Sequence, residues 1–184
     1  MSIGTNPSAG GHSFPLDMTS DARRALQARL EAQCAKREYC SSDIRVKARK
    51  ALADAMGRAG VETDAGELCE AADSIVAALV AGGFVSDLRY ASAFAREKAS
   101  LTGWGPVKIR YALSAKGIPR DLIDAALSEI DAGKAEERLD KLLAAKARTL
   151  EGDPHARLKL LKFALSRGYE YDEAAGAVET ALRG

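Results

Sequence analysis

The 184-residue chain is poor in the residues from which most catalytic and metal sites are built. It has two histidines, His12 and His155, and three cysteines, Cys34, Cys40 and Cys69. Two histidines are too few for a histidine-based metal site. No cysteine pair has the C-x-x-C spacing of structural zinc. An odd number of unpaired cysteines fits free thiols in a reducing compartment. No apolar run approaches the roughly 20 residues of a membrane span. The N-terminus lacks the basic-then-apolar layout of a signal peptide, so a cytoplasmic location is the expectation. Gly103-Trp104-Gly105 lacks the downstream Gly, Lys and Ser/Thr of a phosphate loop. Paired acids such as Glu136 and Glu137 read as helix-surface charges. Catalysis needs a constellation of groups, and no residues here carry one, so neither a catalytic residue nor a cofactor is expected.

What is abundant favours helix. Ala, Leu, Arg, Lys, Asp and Glu dominate, while aromatics make up only 5% of the chain. The 27 basic and 26 acidic side chains nearly cancel, so net charge names no partner. Their distribution is uneven. From Asp87 to Arg120 seven Lys and Arg face two acids, whereas Asp121 to Asp131 holds acids and no base. Blocks of this kind make a basic stripe on a neutral protein.

Residues 1–19, rich in Gly, Ser, Pro and Asn and without periodicity, are expected to form a disordered tail. Helices follow over Asp21–Lys36, Asp43–Ala59, about 65–81, 87–102, Pro106–Lys116, Pro119–Ile130, about Ala132–Leu150, Pro154–Arg167 and about Asp172–Arg183. Ala22, Ala25, Leu26 and Leu30 give the first its inward stripe, and Leu101 is placed inward on the fourth. Ser42, Asp64 and Ser86 stand where helix N-caps are needed. Gly60, Gly117 and Gly168 each close a helix and precede an apolar residue, as a glycine C-cap with its hydrophobic contact requires. They lie 57 and 51 residues apart. The reading is an all-α protein of three tandem three-helix repeats over 20–84, 85–131 and 132–184, each burying a face on the next.

The chemistry present is basic helix surface. With Gly117 set on Gly168, Lys108 falls on Lys159 and Lys116 on Arg167. Charge repeated at one structural position gives a spaced row suited to a repeating partner, such as phosphates or a filament. Trp104, the one tryptophan, either fills the gap where two helices meet or stacks on a partner.

Three stretches carry a family resemblance. Asp87-x-Arg89-Tyr90-Ala91 is followed by Trp104-Gly105-x-x-Lys108-Ile109-x-x-x-Leu113-x-x-Lys116-Gly117-Ile118, and then by Ile123-x-x-Ala126-Leu127. Near the C-terminus stands Lys159-Leu160-x-x-Phe163-x-x-x-Arg167-Gly168-Tyr169. The order of these motifs over residues 20 to 183 resembles the RecX regulatory proteins. The resemblance implies an elongated, curved molecule of three tandem units, monomeric and non-enzymatic. It implies a role in recombination, DNA repair and the SOS response, with the RecA recombinase filament as partner. Binding in the filament's helical groove would inhibit ATP hydrolysis and strand exchange, and some members contact single- or double-stranded DNA directly. The contact candidates it yields are Arg89, Lys98, Lys108, Arg110, Lys116, Lys159, Lys162 and Arg167. A DNA-binding helical protein without a recombinase partner, or a helical scaffold for another protein, are the alternatives.

Overall fold

The computed structural model describes residues 16–183, with side chains from Ser20 onward. Among these residues all regular structure is helical. The helices are α1 (Leu16–Cys34), α2 (Ser41–Ala59), α3 (Ala65–Ala81), α4 (Asp87–Glu97), α5 (Pro106–Ala115), α6 (Arg120–Ser128), α7 (Ala132–Arg148), α8 (Ala156–Arg167) and α9 (Tyr171–Arg183). A π-helical turn, Lys98–Thr102, continues α4.

Three apolar cores form, one for each successive helix triplet. The first gathers Leu26 and Leu30 of α1, Ile44, Ala48 and Leu52 of α2, and Ile75, Val76 and Leu79 of α3. The second gathers Ala91 and Ala95 of α4, Ile109 and Leu113 of α5, and Ile123 and Ala126 of α6. The third joins Leu139 and Leu143 of α7, Leu160 and Ala164 of α8, and Ala174 and Val178 of α9. The buried positions in each helix recur mostly at three- or four-residue spacing, the period of a single helical face. Two residues cross between neighbours. Cys40, fully buried, belongs to the second core although it opens α2, and Val85 belongs to the first although it leads into α4.

The left-handed glycines act as the sequence predicts. Gly60, Gly117 and Gly168 have φ of 68°, 75° and 89°. Behind the last two, the amides of Ile118 and Tyr169 return to the carbonyls of Leu113 and Ala164, and both side chains are buried. Asp64 and Ser86 cap α3 and α4 through bonds from the amides of Gly66 and Arg89.

Several expectations are corrected. The part of the expected tail before residue 16 lies outside the described residues, while residues 16–19 already belong to α1. Ala22 and Ala25 are exposed, because the inward line of α1 is Leu26, Leu30 and Cys34. Leu101 is 71% exposed, not inward. The π turn carries more residues per turn than an α-helix and shifts the phase of the side chains behind it. Ser42 does not cap α2. Cys40 takes the N-cap position, and the Ser42 hydroxyl donates instead to the Lys116 carbonyl at 2.6 Å. Pro154 does not open α8, since Asp153 accepts from the His155 amide in a turn that delays the helix to Ala156.

The units meet through the ends of their middle helices. A helix leaves its first four amides and last four carbonyls without internal partners, with opposite partial charges at its two ends. Here one helix's loose end satisfies another's. The amides of Gly105 and Val107, at the start of α5, donate to the carbonyls of Arg167 and Gly168, at the end of α8, at 2.9 and 3.0 Å. Pro106 between them has no amide to leave orphaned. This approach leaves no room for a side chain. A Cβ on Gly105 would collide with the Gly168 carbonyl and sit 2.7 Å from the Tyr169 amide nitrogen. One on Gly168 would lie 2.9 Å from Lys108 Cα. The next junction has the same polarity: the end of α5 meets the start of α2 through Lys116 and Ser42.

Two stability measurements test this packing. Leu113→Ala, at a fully buried position of the second core, is expected to cost about 2–5 kcal/mol in urea unfolding. An unchanged midpoint would contradict the assignment of that core. Gly105→Ala is expected to destabilise by roughly 1–3 kcal/mol through loss of the two inter-unit bonds, at about 0.5–1.5 kcal/mol each. Gly176→Ala is the control: nothing lies near its Cβ position, and inside α9 it should be neutral or stabilising by about 0.5–1 kcal/mol. Equal effects at the two glycines would argue against the junction.

Candidate functional site

The repeated cations do not stand free. Lys116 and Arg167 precede their left-handed glycines, and each reaches back to the unit before it. Lys116 Nζ bonds both carboxylate oxygens of Asp43, in the first turn of α2, at 2.8 and 2.9 Å. That bond holds the Lys116 ammonium above the ordinary lysine range, against the opposing effect of burial. Arg167 donates to the Thr102 carbonyl at 2.8 Å, with its guanidinium over the Phe163 ring at 5.0 Å. Lys108 reaches forward and donates to the Ser166 carbonyl at the end of α8 at 3.0 Å. Its equivalent, Lys159, bonds Asp153 and keeps that carboxyl below the usual range, helped by the His155 amide. The repetition seen in the sequence therefore coincides with junction chemistry in three of its four members.

The other candidates divide. Arg89 bonds Glu38 of the first unit at 3.0 Å and the Gly83 carbonyl at 2.8 Å. Arg110 bonds Asp124 of α6 and holds its carboxyl below the ordinary range. Lys98 pairs with Glu97 at 2.8 Å. Lys162 is exposed on α8 and makes no polar contact among the described residues.

Trp104 does what a gap-filling residue does, while keeping one cationic side. It is half-buried against the second core, edge-on to Phe94 with ring centroids 6.2 Å apart, and Phe94 stacks on Tyr90 at 6.0 Å. Lys108 Nζ lies 4.8 Å from the Trp104 ring centre, and Lys98 Nζ lies 5.8 Å from it. A second group stands on the first unit, where Arg37 and Lys47 lie 4.4 and 5.3 Å from the Tyr39 ring centre. Between Tyr39 and Lys98 opens a cleft of ≈ 430 Å³, lined by Tyr90 and Phe94 and carrying the acids Glu38, Asp43 and Glu97 beside its cations.

One surface escaped the sequence reading. On the outer side of α5, away from Ile109 and Leu113, Val107 is half-exposed and Tyr111 is 78% exposed. The equivalent positions of α8 are Leu158, exposed, and the free Lys162; Leu165, one turn on, is exposed as well. The outer sides of α5 and α8 thus each carry an exposed strip at equivalent positions, apolar except for Lys162. The available signal was an apolar residue two positions before each buried one, at Val107, Tyr111 and Leu158.

Comparison with known proteins places this architecture. The family model described as RecX, second three-helix domain, matches residues 86–127, within the second unit. The regulatory protein RecX of Mycobacterium ulcerans is 29% identical over 169 residues, covering 90% of this chain and 91% of that protein. The regulatory protein RecX of Shewanella oneidensis is 31% identical over 113 residues, covering 54% of this chain and 88% of that protein. A crystal structure of a regulatory protein RecX superposes with a TM-score of 0.69 at 20% identity, over 91% of this chain and 74% of that one, a likeness of fold. Three helix triplets joined at their middle helices, with these identities along nearly the whole chain, make it a member of the RecX family of regulatory proteins.

Proposed function

We propose that this protein is a non-enzymatic regulator of homologous recombination and DNA repair, acting as a monomer in the cytoplasm. It binds the RecA filament and lowers its ATP hydrolysis and strand exchange. The observation that carries this reading is the likeness to RecX regulatory proteins over about nine-tenths of the chain. The physical arrangement is compatible with it. A filament repeats, and units held in register present equivalent surfaces at a fixed spacing. The strip of Val107, Tyr111, Leu158 and Lys162 is the part of the middle helices that the junctions leave unused. Aromatic anchors flanked by cations are common centres of binding energy between proteins. Arg89, Lys108, Lys116 and Arg167 contribute by holding the units in place, Lys98 by lining the cleft, Arg110 and Lys159 through pairs within their own units, and Lys162 by direct contact.

A second reading is favoured by one feature, the aromatic rings interleaved with cations at Tyr39, Trp104, Lys98 and Lys108. Single-stranded nucleic acid is held by this combination of stacking and positive charge. A DNA-binding protein without a recombinase partner would use the cleft and not the outer strip.

RecA-dependent ATP hydrolysis on single-stranded DNA separates the two. The protein is expected to inhibit it below one molecule per RecA monomer. The pair Tyr111→Ala with Lys162→Glu should weaken inhibition about tenfold or more, equivalent to at least ~1.4 kcal/mol, without changing the melting temperature. Inhibition untouched by that pair but abolished by Trp104→Ala and by salt would favour the DNA reading.

A further inference from the structure

The two junctions share a polarity but not a chemistry. Between the second and third units run two backbone-to-backbone bonds, packed where Gly105 and Gly168 meet. Gly103 packs on Leu142, and Arg138 of α7 donates to the Leu101 carbonyl at 3.1 Å. Backbone groups in tight apposition leave no rotamer through which the units could shift.

Between the first and second units, apart from the Val85 amide's bond to the Leu79 carbonyl where the chain crosses, the polar contacts among the described residues pass through side chains. The Ser41 amide donates to Asp87 at 2.7 Å, the Ser42 hydroxyl to the Lys116 carbonyl, Lys116 to Asp43, and Arg89 to Glu38. Both ion pairs are open to solvent: the side chains are 40% and 33% exposed for Lys116 and Asp43, and 48% and 34% for Arg89 and Glu38. Pairs this open hold weakly and are screened by salt. Among the buried residues described, the two that cross between these cores are Cys40, seated in the second, and Val85, at the chain crossing of 82–86, in the first. Two points of attachment define an axis.

We propose that the first unit is an arm hinged on that axis, and that the second and third units form one rigid body. The Lys116–Asp43 and Arg89–Glu38 pairs latch the arm, and counter-ions release it. The cleft lined by Arg37, Tyr39, Tyr90, Phe94 and Lys98 lies across the hinge, so it widens as the latch opens. The rigid pair presents a fixed spacing to any partner, and the arm adjusts to it. This device does not depend on what the partner is.

Small-angle X-ray scattering of the full chain tests it without a partner. Between 0.01 M and 1 M salt the screening length falls from about 30 to about 3 Å. The distribution of interatomic distances is expected to broaden and shift outward over that range, with the helical circular dichroism unchanged. Lys116→Glu with Arg89→Glu should give the broad distribution at both salt levels. Exchanging the charges, Asp43→Lys with Lys116→Asp, should bring back part of the compact low-salt form. Rescue is partial because both new charges oppose the helix dipoles they sit on. A parent profile identical at the two salt levels would overturn the proposal, as would a folded double-Glu variant that stays compact. Should the variants unfold, the parent's own salt series decides.

Discussion

The structure depends on one constraint: the ends of α-helices must find partners. Every helix carries unpaired amides at its start and unpaired carbonyls at its end. In a bundle of antiparallel helices these groups face water or a side-chain cap. Here the end of α8 is placed on the start of α5, and the end of α5 on the start of α2, so that carbonyls meet donors and opposite partial charges meet. That requirement sets the linear order of the units, since each middle helix has one end for each neighbour. It also explains why glycine stands at both 105 and 168. Among the described residues, this is the junction at which the backbones of two middle helices bond directly.

The same constraint separates structural charge from available charge. A lysine or arginine just before a helix C-terminus is well placed to serve its own helix and the one beyond it. Lys116 and Arg167 do so at successive junctions, and Lys108 serves the end of α8 from the other side. Lys159, by contrast, makes a local pair with Asp153. Val107, Tyr111, Leu158 and Lys162 are surface that the junctions leave uncovered.

Much of the fold was legible because its signals are local. The left-handed glycines, the caps at Asp64 and Ser86, and the four-residue spacing of Ile109 with Leu113 all act within one or two helical turns. What the sequence misplaced depends on neighbours distant in the chain. Ser42 is a good N-cap residue by type, but the carbonyl of Lys116 lies within its reach and takes the hydroxyl. Leu101 follows the inward period of α4 until the π turn changes the phase. Ala22 and Ala25 fit an apolar stripe, yet Cys34 completes the one that is buried. Of the candidate site, the equivalence of Lys116 with Arg167 was readable. Its engagement at a junction was not, because Asp43 and Thr102 become its partners only when units stack.

Amide hydrogen exchange resolved at Gly105 and Val107 tests the central claim most directly. Both amides lie at a helix N-terminus, where no intrahelical acceptor exists and exchange is ordinarily fast. Bonded to the carbonyls of Arg167 and Gly168, they are expected to be protected as strongly as the Ile109 and Leu113 amides in the core of α5. Exchange at the rate of frayed helix ends would contradict the account, because the second and third units would then be neighbours along the chain and not one welded body.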